Sequence, residues 1–248
     1  MRFAALILLF LGSHAGAQCV AESGPGTAVL VELYTSEGCS SCPPADRWLS
    51  SLGQSYARAD VVPLALHVDY WDYIGWKDPY AKRELSLRQR KLSQLQRLAL
   101  VYTPQVLLQG RDFPGWGSKA FHESIARINA QPARARMRLA LLGVEGRGME
   151  VEASAELGER ADDAALYLAV YASNLRNRVR AGENRGRVLN HDYVVLEWQG
   201  PFAISNRRVE RRRLALLPGA NAANSGVVAF VQNRPTGEVL QAIMRSAC

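Results

Sequence analysis

Cysteine and lysine are both scarce in this chain, with four of each among 248 residues. The cysteines are Cys19, Cys39, Cys42 and Cys248, and only one pair is closely spaced. No second pair exists to complete the four-ligand set of a structural zinc site. Arginine supplies 26 of the 30 basic residues, and the formal net charge is +7. A nucleic-acid role would need the arginine clusters at 134–138, 176–187 and 207–213 on one face with stacking aromatics between them. A solvated basic surface that meets anionic lipid or polysaccharide explains the same charge, so no nucleic-acid partner is expected. Beyond residue 11 no apolar run is long enough to span a bilayer. An internal repeat, a low-complexity tract and a glycine-rich nucleotide fingerprint are also absent. Any reductant must therefore come from another protein, and no bound cofactor is expected.

The chain opens with Met1-Arg2, an apolar stretch from Phe3 to Leu11, and a small-residue end at Ala15-Gly16-Ala17. One positive charge, a short apolar core and an Ala-x-Ala site predict a signal peptide over residues 1–17. A lipoprotein reading centred on Cys19 is the alternative, with Gln18 a poor residue before a lipidated cysteine. Export implies a periplasmic or secreted protein in an oxidising compartment, where cysteines outside a functional pair are bridged. Because domain termini often lie close in space, a structural Cys19–Cys248 disulfide is expected. The alternative is two unpaired terminal thiols.

Residues 18–131 read as an α/β layer structure. A buried strand spans Ala28–Tyr34, and a helix follows Cys42 with Pro43 and Pro44 in its first turn and Asp46 complementing its positive end. Val61–Val68 is a second buried strand, and Tyr80–Leu100 carries a helical stripe of Leu85, Leu92, Leu95 and Leu98. A strand over Val101–Leu108 is entered through Pro104, and Ser118 is expected to cap a last helix through Phe121, Ile125 and Ile128. From Pro132 the pattern changes to short alternating runs separated by turn residues: Met137–Leu142, Met149–Ala155, Ala165–Val170, Val188–Trp198, Leu214–Leu217 and Val227–Gln232. That spacing predicts an all-β, sandwich-like domain over 132–248.

The chemistry concentrates in Cys39-Ser-Ser-Cys42, set between the first strand and its helix. Two thiols at this spacing can close and reopen a disulfide. The helix start lowers the first thiol's pKa, so Cys39, expected to be the more exposed, attacks a partner disulfide and Cys42 resolves the mixed disulfide. His67, Asp69, Trp71 and Asp72 follow the second strand and should gather near Cys39 if the two strands are parallel. His67 could tune the thiolate, complete a copper site with Cys39 and Cys42, or be a satisfied core histidine. Trp71 and Trp76 would form a platform around the cleft. Gly182–His191 suits a tight turn: it either joins two strands or brings arginines over the cleft.

The order strand, Cys-x-x-Cys, helix, strand, helix, then Thr103-Pro104 opening a strand, resembles the thioredoxin superfamily. That resemblance implies a cis Pro104 packed against the disulfide and Thr103 as the residue that docks an extended substrate. It also implies that Glu32, buried in the first strand, shuttles a proton to Cys42; a structural salt bridge is the other reading of this acid. The stretches Glu32–Asp46, His67–Pro79, Val101–Gln105 and Gly182–His191 are similar to the DUF1223 family of exported bacterial thioredoxin-like proteins. Together these features predict thiol–disulfide exchange with exported protein thiols or disulfides and a protein redox partner. The alternatives are a copper-binding or copper-delivery protein and a non-catalytic binding module with a static Cys39–Cys42 disulfide.

Overall fold

The computed structural model describes residues 19–158, 163–216 and 220–248. The predicted signal peptide and the Pro218-Gly219 turn lie outside them. The chain runs through β1 (Cys19–Glu22), β2 (Val29–Thr35), α1 (Cys42–Ser55), β3 (Val61–His67), a 3-10 segment (Asp69–Ile74), α2 (Arg83–Leu95), β4 (Gln105–Leu108), β5 (Arg111–Asp112) and α3 (Lys119–Asn129). Strands follow: β6 (Ala135–Glu145), β7 (Gly148–Leu157), β8 (Ala164–Ala172), β9 (Leu175–Arg178), β10 (Val188–His191), β11 (Val194–Ile204), β12 (Arg207–Ala215), β13 (Ser225–Asn233) and β14 (Val239–Ser246). The described residues are mostly β-sheet with few helices.

All seven residues of β2 are buried, because the strand lies inside a sheet covered on both faces. Its alternation divides the coverage. Val29, Val31 and Leu33 pack with Leu49 and Leu52 of α1 and with Phe121 and Ile125 of α3. Leu30 and Tyr34 pack on the other face with Leu85 and Leu92 of α2. Each such fully buried aliphatic side chain contributes about 1.5–3 kcal/mol relative to exposure. β2 and β3 are parallel, in a register that sets Thr35 opposite His67 at the ends of the two strands.

The large sheet has eight strands in the order β14-β13-β8-β11-β3-β2-β4-β5. Strands from both sides of residue 132 therefore share one sheet, joined where β11 pairs parallel with β3 at Val194 and Ala65. A four-stranded antiparallel sheet, β1-β6-β7-β12, covers the β8, β13 and β14 end. Met137, Leu139, Val151, Leu166, Leu168, Val227 and Val231 fill the space between the two layers. The sandwich expected after Pro132 is present as two packed layers, and one of them continues the sheet of the first segment. The single Val194–Ala65 register position places both β11 and β3 in the interior of the strand order.

Several boundaries moved for identifiable reasons. The helix expected over Tyr80–Leu100 is the shorter α2, and Arg97 in the left-handed region (φ 56°) stops it. The Val101–Leu108 strand begins only at Gln105, because Thr103 and Pro104 form a turn. Val188–Trp198 is two strands, broken at Tyr193 with φ 59°. Ser118 occupies the position before α3, but its hydroxyl donates to the Gly115 carbonyl at 2.7 Å and does not cap the helix. The arginine-rich β12 escaped the alternation pattern because a buried position is taken by Glu210, paired with Arg208 and Arg212, while the apolar Val209 is exposed.

Candidate functional site

Cys39 and Cys42 are joined by a disulfide, and Cys42 is the first residue of α1. Cys19 and Cys248 form the second disulfide, as expected, so none of the four cysteines is free. The Thr103–Pro104 peptide bond is cis. Trp71 connects this turn to the Cys39 loop. Its Nε1 donates to Thr103 Oγ1 at 2.7 Å, and its Cβ stands 3.0 Å from where a side chain on Gly38 would begin.

The expected exposure of Cys39 is corrected: Cys39 and Cys42 are both at 0% exposure, while Ser40 and Ser41 between them are exposed. The Gly182–Arg187 turn between β9 and β10 bonds to the backbone of the Cys39 loop. Asn184 Nδ2 donates to the carbonyls of Glu37 and Cys39, both at 2.9 Å, and Glu183 Oε2 accepts from the Ser40 amide at 2.9 Å. The Ser40 bonds hold the exposed Glu183 carboxyl below its ordinary pKa. The turn thus joins two strands and also binds the Cys39 loop, through Glu183 and Asn184; Arg187 donates to Asn184 Oδ1 at 2.8 Å.

Glu32 is not beside the disulfide. Alternation along β2 points it to the α2 face, whereas Val31, Leu33 and α1 share the opposite one. There it forms a buried ion pair with Arg88 (Nε–Oε1 2.7 Å), the structural alternative of its two readings. Arg88 lies over Trp198, 4.6 Å from the ring centroid, and beside Phe230 and Tyr167.

The buried acids that do meet the Cys39 region are Glu37, Asp46 and Asp78. Glu37 is fully buried: Oε2 accepts from Trp76 Nε1 (2.9 Å) and Asn177 Nδ2 (2.8 Å), and Oε1 meets His191 Nε2 at 3.1 Å. Its own amide donates to Asp78 Oδ2 at 2.8 Å. The same Asp78 oxygen binds His67 Nδ1 at 2.7 Å. Asp46 turns away from the helix start it was expected to complement. Its Oδ1 accepts from Thr35 Oγ1 at 2.7 Å, and its Oδ2 lies 3.8 Å from His191 Nδ1. The His67 and His191 rings meet edge to face at 5.0 Å, and Tyr80 packs against both.

Burial alone would pull the His67 pKa down; Asp78, Asp46 and Glu37 outweigh it and leave it raised. Burial likewise presses the Asp78 carboxyl up, but His67 and the amides of Glu37 and Tyr80 hold it below its ordinary value. Asp46 is raised by burial despite the opposing pull of His191 and His67. The Tyr80 hydroxyl is pushed up to about 12 by burial and by Glu37 and Asp78. His67 and Asp78 are therefore a buried, hydrogen-bonded pair in which each favours the other's charged form. Among the described residues no group of three or more His, Cys, Asp or Glu side chains is placed to hold a metal ion. Asp69 lies elsewhere, accepting from Ser86 Oγ of α2 at 2.5 Å, and Asp72 Oδ1 accepts from the Asp78 amide.

Glu37, Asp78, Asn177 and Asn184 are the residues that sequence reasoning missed. Three of the four, Glu37, Asp78 and Asn184, lie inside the stretches shared with the family, and that placement was the available signal. The chain belongs to that family: the profile described as protein of unknown function DUF1223 matches residues 30–232. Two solved structures share the fold. A structural-genomics protein from Agrobacterium tumefaciens is 24% identical with a TM-score of 0.66, over 91% of this chain and 97% of that one. HBP35 of Porphyromonas gingivalis is 16% identical with a TM-score of 0.70, over 90% of this chain and 76% of that one. No functionally curated protein matches the chain.

Proposed function

We propose that this is an exported thioredoxin-like protein that performs thiol–disulfide exchange through Cys39 and Cys42. The observation that carries the reading is the disulfide at the start of α1, directly after a strand of a parallel pair and tied through Trp71 to the cis Thr103–Pro104 turn. The helix start favours a thiolate at Cys39, and Ser41 Oγ, 3.3 Å from Cys39 Sγ, supplies a hydroxyl donor to it.

In the oxidised protein a partner thiolate attacks Cys39 Sγ, the S–S bond breaks, and Cys42 leaves as a thiolate. A second partner thiolate then attacks the mixed disulfide and releases Cys39. Two electrons pass from the partner dithiol to the protein, and the reverse sequence oxidises the protein and reduces the partner. Thr103 and Pro104 would dock the partner chain. Exported protein thiols are the substrate class, and a second redox protein resets the pair.

The test is trapping. Cys42→Ser leaves Cys39 unable to close its disulfide, so this variant should attack oxidised glutathione or a disulfide-bearing peptide and accumulate the mixed disulfide as the other sulfur leaves as thiolate. Cys39→Ser should not. Equal trapping by both variants, or by neither, refutes the assignment. A static disulfide in a binding module is the second reading, favoured by the complete burial of both cysteines.

A further inference from the structure

Turns normally run over the surface with their polar groups in water. The Gly182–Arg187 turn departs from that at one residue. Asn184 is at 0% exposure, although Glu183, Arg185, Gly186 and Arg187 around it are exposed. All its amide groups are used: Nδ2 donates to Glu37 O and Cys39 O, and Oδ1 accepts from Arg187. Gly182 makes the approach feasible. Its φ is +70°, and a Cβ there would stand 3.0 Å from Ile74 Cδ1 and 3.3 Å from Trp76 Cβ. Gly38 packs equally closely on Trp71 and Ile74, so the turn and the Cys39 loop grip the same short segment.

Polar bonds hold the turn down alongside the buried Leu175, Val179 and Leu189 of the same hairpin. Besides Asn184 and Glu183, the polar anchors of β9 and β10 are Asn177 and His191 on the Glu37 carboxylate. These two strands form their own two-stranded sheet, so their lifting breaks no ladder of the larger sheets. A lone hairpin is marginally stable without such docking.

We infer that the Gly182–Arg187 turn is a removable cover of the redox site and that Asn184 is its positioning residue. Docked, Asn184 fixes the Cys39 carbonyl and withholds both sulfurs from any attacking thiolate. Undocked, the turn opens Cys39 to the partner. The inference rests on the exchange reading for its purpose, but it concerns how fast the sulfur is reached, which is independent of the pair's potential.

The probe is dithiothreitol. One of its thiolates attacks Cys39 Sγ, Cys42 leaves as thiolate, and the second reagent thiolate releases Cys39 while the reagent closes its own disulfide. The rate is read by alkylation and mass shift in the full chain, with Cys19–Cys248 as an internal reference. Asn184→Ala should reduce at Cys39–Cys42 at least about tenfold faster than wild type, because local opening no longer breaks the Asn184 bonds. Cys19–Cys248 should keep its rate. Glu183→Gln, at an exposed position, should give a smaller acceleration in the same direction and decides the matter if Asn184→Ala does not fold. Unchanged rates at Cys39–Cys42, or equal acceleration of both disulfides, overturn the cover. If the cover is confirmed while the pair's potential proves too low for exchange, the exchange reading falls and the cover stands.

Discussion

Glu37 Oε1 and His191 Nε2 lie 3.1 Å apart, joining the residue two positions before Cys39 to the last residue of β10. Both side chains are buried, and the carboxylate also receives Trp76 and Asn177. One acid therefore ties three segments to the disulfide loop. Removing it leaves buried donors without an acceptor, which costs more than the bonds themselves contribute. Glu37→Ala should lower unfolding stability by about 3–5 kcal/mol. Urea denaturation checks this, and a loss below about 1 kcal/mol would show that the donors find other partners.

The His67–Asp78 pair gives stability a definite pH window. His67 is raised, so its contribution is fully present below the unfolded histidine value of about 6.5 and is lost as pH climbs through the raised folded pKa. Asp78 is lowered, so its contribution is present above the unfolded carboxylate range near 3.9 and is lost as pH falls through the depressed folded value. Asp46, raised, runs opposite to Asp78: its contribution is present below the unfolded carboxylate value near 3.9 and is lost as pH rises through its raised folded value. The melting temperature should therefore be highest in mildly acidic buffer and decline toward alkaline pH. In His67→Gln the alkaline decline should be visibly shallower; an identical pH profile would remove His67 from the explanation.

Glu32→Gln separates the two readings of that acid. If it is only the partner of Arg88, the variant loses about 3 kcal/mol of stability, because a buried guanidinium loses its counter-charge. Its exchange rate at Cys39 should stay within about twofold of wild type, since no term of the barrier is touched. A large drop in rate would restore the proton-shuttle role.

The Cys19–Cys248 bond closes a loop spanning 229 residues of sequence separation. Cys248→Ser should cost about 2–5 kcal/mol on equilibrium unfolding, while leaving reactivity at Cys39–Cys42 unchanged. Altered exchange kinetics in this variant would mean that the two disulfides are coupled.

The parts of the fold legible in the sequence were those set by local physics. β2 and β3 announced themselves as continuous apolar runs because they are covered on both faces, and Pro43-Pro44 marked the start of α1. The joining of β3 to β11 was not legible, since nothing in Val194–Ile204 marks the strand as pairing with Ala65. The site divided in the same way. Cys39, Cys42, Thr103 and Pro104 stand out by residue type and spacing. Glu37 and Asn184 depend on partners about 150 positions away, at His191 and Cys39, so their roles exist only in the folded chain. Glu32 drew attention as a charge in an apolar strand, but strand alternation, which decides its face, put it on the α2 side with Arg88.

The midpoint potential of the Cys39–Cys42 pair, measured by equilibration in glutathione or dithiothreitol buffers with Cys19–Cys248 intact, tests the central claim most directly. Exchange predicts a value between about −120 and −270 mV, the range spanned by working thiol–disulfide oxidoreductases. A value below about −300 mV would mark a structural bond and contradict it.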